Sequence, residues 1–188
     1  SVKAMFRKEL GEFAGEARQY VEIEAPQKGA RFAHGADWAR DQNWTVIWTL
    51  RYDVKPARFV AFERLGRERY PIMVGRLKER IKRFGGATAH DATGLGNVIT
   101  DLLEGVSNVI DFTMIGRDRS ELLSQYVKAI ENGEIEAPYI RFAESEHRLA
   151  SRADLYQSGT HHLPDTISAG ALANYARTHG GWARGMGG

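Results

Sequence analysis

The chain has 188 residues, 43% of them hydrophobic, enough for one domain with a real core. Its 26 basic and 24 acidic residues leave a net charge of only +2, so any nucleic-acid role must rest on where the charges sit. The absence of cysteine excludes disulfides, thiolate metal sites and cysteine nucleophiles. No apolar run approaches the roughly 20 residues of a membrane-spanning helix, and "SVKAMFRKEL" has no signal-peptide core. A soluble, intracellular protein with no membrane partner is expected, and the start at Ser1 suggests a piece of something longer.

In chain order, "FRKELGEFAGEARQYV" mixes charges with small residues and is expected to be a lead-in helix or linker. "ARFAHGADWARDQNWTVIWTLRYD" predicts two strands joined by a turn, the second rich in β-branched and aromatic residues, and "ARFVAFERLG" predicts a third. Their short separations favour antiparallel pairing. From Tyr70 the period changes: Met73, Leu77, Ile81 and Phe84 mark one face of a helix that Gly85 and Gly86 stop. "ATAH" is a short strand ending at Asp91, "NVITDLLEG" a helix, "NVIDFTM" a strand, and "RSELLSQYVKAIENG" a longer helix. "PDTISAGALANYAR" closes the series as a helix with Pro164 suited to its first turn. The order implies an α/β protein, a mixed sheet of three antiparallel strands followed by parallel ones, flanked by helices.

The glycines of "HDATGLG" raise three readings: a phosphate cradle, a metal-site turn or a plain loop. A Walker loop needs Lys and then Ser or Thr after its second glycine, whereas Gly96 is followed by Asn97 and Val98. A dinucleotide loop lacks its third glycine. Asp91 and Asp37 each stand where a strand ends, so on neighbouring strands their carboxylates would emerge side by side. Like charges that close need a cation between them, and a divalent metal with oxygen preference is the usual answer. Asp165, at the head of the last helix, is the candidate third acid.

Taken in order, "GADWARDQNWTVI", "HDATGLG", "ELLSQYVKAIENGEIEAPY" and "HHLPDTISAGALA" resemble the nuclease domain of the large terminase subunit of tailed bacteriophages, an RNase H-like fold. The resemblance implies a five-stranded mixed sheet over residues 30–178, preceded by a lead-in over 1–29 and followed by a flexible tail over 179–188. It assigns Asp37, Asp91 and Asp165 as catalytic, metal-binding acids for two Mg²⁺ or Mn²⁺ ions, with Asp37 shared between them. It further implies double-stranded DNA as substrate, cut from viral concatemers in the host cytoplasm. The partners implied are an ATPase domain, a small terminase subunit and a portal protein. One departure is Pro164, where many members carry a further acid.

Other residues were weighed beside these. Asp41 and Glu63 are candidates for a fourth acid, and His90, His161 and His162 for water orientation or general base. Arg76, Arg80 and Arg83 are expected to share an outward face of the helix from Tyr70, and Arg148 and Arg152 to line a DNA path, giving salt-dependent phosphate contacts. The rival readings are a DNA-binding module without chemistry, which needs the basic face and not the acids, and an RNase H or recombinase using the same acids on another nucleic acid.

Overall fold

The computed structural model describes residues 1–40, 44–150, 155 and 163–187, the side chains of 181–187 excepted. After a one-turn helix α1 (Val2–Met5) come strands β1 (Phe6–Phe13), β2 (Gln19–Glu22), β3 (Phe32–Asp37), β4 (Thr45–Arg51) and β5 (Ala57–Leu65). Helix α2 (Tyr70–Phe84) leads to β6 (Ala87–Asp91), α3 (Val98–Leu102), β7 (Val109–Phe112), α4 (Gly116–Glu131), β8 (Ile135–Ile140), α5 (Arg141–Leu149) and α6 (Asp165–Gly187).

The strands form one sheet in the order β1-β8-β5-β4-β3-β6-β7, with β2 pairing β5. The β3-β4-β5 meander is antiparallel, and β6 and β7 add in parallel beyond β3. This is the expected mixed, helix-flanked sheet, but with eight strands where five were expected. The extra three have physical reasons to hide. β1 is a largely exposed strand at one end of the order, so its sequence carries charges instead of an apolar alternation. β2 buries only Val21. β8 contains Pro138, which argues against a strand, yet Pro138 lies beyond the two residues that pair with β5 and so interrupts no ladder there. Residues expected as a lead-in helix or linker thus supply two strands. The last helix continues past residue 178 as far as Gly187.

Alternation sorts β3, β4 and β6 between two helical layers. Ala33, Val46, Trp48, Leu50, Ala87 and Ala89 join the cluster that includes Leu122, Tyr126, Leu172 and Ala173 of α4 and α6. Ala36, Trp38 and Ile47 face the other way, onto Met73, Val74 and Leu77 of α2 and Ile99 of α3. Asp37 and Asp91 follow the parity of Ala33 and Ala89 and therefore emerge on the α6 side. On that side Gly35 decides how near α6 comes, because a Cβ there would stand 1.9 Å from the Ala169 carbonyl oxygen and 2.4 Å from the Ala173 nitrogen.

Candidate metal centre

β3 and β6 are parallel neighbours with Ala36 opposite His90, so the next residues, Asp37 and Asp91, end adjacent strands side by side. Asp165 begins α6, which packs across β3, β6 and β4. Three contacts set that helix start. The Trp48 indole N–H donates to the Thr166 carbonyl (3.1 Å), the Trp44 backbone N–H donates to Asp165 Oδ2 (3.2 Å), and Glu146 Oε1 accepts from the Thr166 hydroxyl (2.8 Å) and N–H (3.3 Å). All three aspartates are more than nine-tenths buried.

Burial pushes the Asp37 carboxyl well above the usual carboxylate range, and the charges of Asp165 and Asp91 add to the rise. A hydrogen bond between Asp37 and Asp165 acts in the same direction, while the Arg40 guanidinium opposes the rise. Asp91 is balanced differently. Its Oδ1 accepts from the Thr93 N–H at 2.9 Å, an Asx turn, and its Oδ2 lies 3.3 Å from Arg40 Nη2. Thr93 in turn accepts from the Met114 N–H at 2.7 Å, which ties the "HDATGLG" turn to the residues after β7. Gly94 and Gly96 take positive φ values of 68° and 57°, the left-handed turn that a side chain would strain.

Among the described residues, no three histidine or carboxylate side chains are gathered tightly enough to grip a metal ion as they lie. As the side chains lie, Arg40 and Thr93 hold Asp91, and the Trp44 N–H donates to Asp165. The donor chemistry nevertheless fits a hard divalent cation. Three buried carboxylates gathered where two strands end and a helix begins are oxygen ligands of the kind Mg²⁺ and Mn²⁺ take, and the Arg40 guanidinium already lies beside one of them.

The remaining candidates fall elsewhere. His90 accepts from the Trp38 indole N–H at Nδ1 (3.1 Å) and gives Nε2 to Asp111, so both nitrogens are engaged and neither is open to a water. Glu63 is buried away from the acids, bonded to Arg76 and Arg80, and is no fourth ligand. Arg80 does not face outward: it is 3% exposed and donates to Glu63 and Thr49. At i+3 from Leu77 and four before Phe84 it lies on the buried stripe of α2, so it cannot meet a phosphate. Arg76 is committed to Glu63 and Glu79, and Arg83 to Glu22. Arg148 is exposed and paired with Glu144. Asp41, Arg152, His161 and His162 lie outside the described residues.

Two residues near the acids, Arg40 and Glu146, went unread in the sequence, and Arg64 was read only as part of a basic cluster. Arg40 follows Asp37 by three positions in the same turn. Glu146, whose carboxyl is pushed up by burial and by the charge of Asp165, sits at the start of α6. Arg64, its guanidinium 4.2 Å from the Trp44 ring centre and 3.4 Å from that of Phe142, is attracted by Glu146 and Asp165.

The sequence matches no family model and no curated protein. Its fold, by contrast, superimposes on solved structures over nearly the whole chain. The large terminase nuclease of thermophilic phage G20c with bound magnesium matches at TM-score 0.73 and 20% identity, covering 93% of this chain and 94% of that one. The zinc-bound form of the same nuclease matches at 0.74 and 20%, covering 93% and 95%. The large terminase nuclease domain of Thermus phage P74-26 matches at 0.70 and 19%, covering 92% and 90%.

The fold is that of a large terminase nuclease. At this identity the likeness carries the architecture, and the site is carried by the residues of this chain. Within the terminase nuclease fold the meander β3-β4-β5, the parallel strand β6 and the helix α6 are the parts that bring the three aspartates together.

Proposed function

We propose that the chain is a metal-dependent endonuclease, the DNA-cutting domain of a phage packaging terminase. The observation that supports this most is the cluster of Asp37, Asp91 and Asp165, three buried acids whose charges act on one carboxyl. Asp37, Asp91 and Asp165 would hold two Mg²⁺ or Mn²⁺ ions, with Asp37 shared between them. When bound, such ions supply a hydroxide-like water for attack on a DNA phosphate and stabilise the departing 3′ oxygen. The magnesium and zinc held by the G20c nuclease agree with divalent-ion use.

The chain's own groups do the positioning. Strand ends β3 and β6 hold two acids rigidly, and Trp48, Glu146 and Trp44 fix the third at the head of α6. The Trp38–His90–Asp111 chain of hydrogen bonds braces the ends of β3 and β6 from the opposite face. The substrate is concatemeric double-stranded DNA, in the cytoplasm of an infected cell. The partners are the terminase ATPase domain, the small terminase subunit and the portal. No described helix is long and apolar enough to cross a membrane.

The test is conversion of supercoiled plasmid to open-circle and linear DNA in Mn²⁺, Mg²⁺ and EDTA. Cutting that needs metal and disappears in Asp91→Asn supports the nuclease. DNA binding without cutting in any metal would leave only a binding module, and preference for an RNA–DNA hybrid would indicate an RNase H.

A further inference from the structure

We propose that Arg40 is an exchangeable counter-cation, which holds Asp91 until a divalent ion displaces it and then binds the DNA phosphate at the cut. The inference rests on the metal-centre reading above. Arg40 Nη2 stands 3.3 Å from Asp91 Oδ2, yet this buried nitrogen has no aligned hydrogen bond among the described residues. The contact is therefore an attraction without the directional bond that would make it costly to break. Asp91 is built for such an exchange: its other oxygen stays fixed by the Thr93 N–H, so the carboxylate keeps its aim when the guanidinium leaves.

Arg40 also has a way out. Its side chain is 30% exposed and runs beside the tight turn, where a Cβ on Gly94 would stand 3.6 Å from Nη1. Among the described residues, Arg76, Arg80, Arg83 and Arg148 hold carboxylates other than the three acids. Arg64 is nine-tenths buried between Trp44 and Phe142. Arg40 both touches an acid of the site and reaches solvent. A divalent ion carries twice its charge onto the same oxygen, and two cations there repel. Once displaced, a planar guanidinium beside the centre is suited to a phosphate diester.

The experiment is isothermal titration with Mn²⁺, without DNA, of the parent chain, Arg40→Gln, Arg40→Lys and Asp91→Asn, followed by plasmid cleavage at saturating Mn²⁺. Arg40→Gln is expected to bind Mn²⁺ about tenfold tighter than the parent, because the competing charge is gone, with Arg40→Lys much nearer the parent. At saturating metal, Arg40→Gln is expected to lose about tenfold or more in kcat. Equal or weaker Mn²⁺ binding by Arg40→Gln, with binding still lost in Asp91→Asn, overturns the exchange while the metal centre stands. An unchanged kcat removes the phosphate role. If no protein of the set binds Mn²⁺, or Asp91→Asn binds like the parent, the metal-centre reading itself falls and the exchange with it.

Discussion

Gly35 of β3 and Ala169 of α6 pass so closely that there is no room for a methyl group between strand and helix. The obstacle is backbone on the helix side, which has no rotamer to yield. Gly35→Ala must lift α6, and Asp165 rides on that helix. The variant is expected to lose about 3 kcal/mol or more, which for a chain of this size is a fall in Tm of roughly 6–12 °C. Metal-dependent cutting is expected to vanish even at temperatures where circular dichroism shows it folded.

Asp37→Asn should separate stability from activity. The folded carboxyl titrates above the ordinary 3.8, chiefly through burial. The folded state therefore holds a proton that the unfolded chain releases, and stability falls as pH rises through that interval. Asparagine removes the penalty. In EDTA the variant is expected to match the parent near pH 4 and to melt higher at about pH 8, while cutting no DNA. Thermal melts at the two pH values, with plasmid cleavage alongside, check both halves.

The raised pKa of Asp37 also predicts how metal loading depends on pH. Ligation requires a deprotonated carboxylate, so an ion taking Asp37 expels its proton. Titration with Mn²⁺ in buffers of different ionisation enthalpy should show release of about one proton below the raised pKa of Asp37, and affinity rising with pH over that range.

Arg80→Met is expected to cost stability without cost to DNA affinity. It strips Glu63 of a buried partner, which ordinarily costs about 3–5 kcal/mol, and the remaining bond from Arg76 keeps the loss near the lower end. Urea denaturation reads this. The slope of DNA affinity against salt, measured by gel shift, should be unchanged, because a buried guanidinium releases no counterions from DNA.

Glu146 is expected to act as an acceptor at the head of α6. Glu146→Gln keeps a carbonyl oxygen for the Thr166 hydroxyl and N–H and should leave stability within about 0.5 kcal/mol, whereas Glu146→Ala should lose about 1 kcal/mol. Chemical denaturation of the pair decides it.

The strand-end acids were legible because two local signals coincide at each: an apolar run, and an aspartate where it stops. The meander, β6, β7 and the helices α2, α3, α4 and α6 follow from the same periodicities. β1 and β2 were hidden because an edge strand needs only one covered side, so exposed charges mask the pattern, and β8, paired on both sides, was hidden by Pro138. Arg80 was misplaced by treating charge as a sign of exposure, although its spacing from Leu77 and Phe84 puts it on the buried stripe; its partner Glu63, on strand β5, is what permits burial. Arg40 and Glu146 belong to the same class. Each matters through a residue far away in the chain or across a turn, and pairings of that kind leave no periodic trace.

The pairing of Asp37 with Asp165 joins the third strand to the final helix across about two-thirds of the chain. During synthesis Asp37 and Asp91 emerge before Asp165, which arrives on the helix that covers the sheet. In a chain that cuts DNA as proposed, competence is therefore coupled to completion of the fold: an unravelled chain presents isolated aspartates, and the three are gathered only once the scaffold is finished.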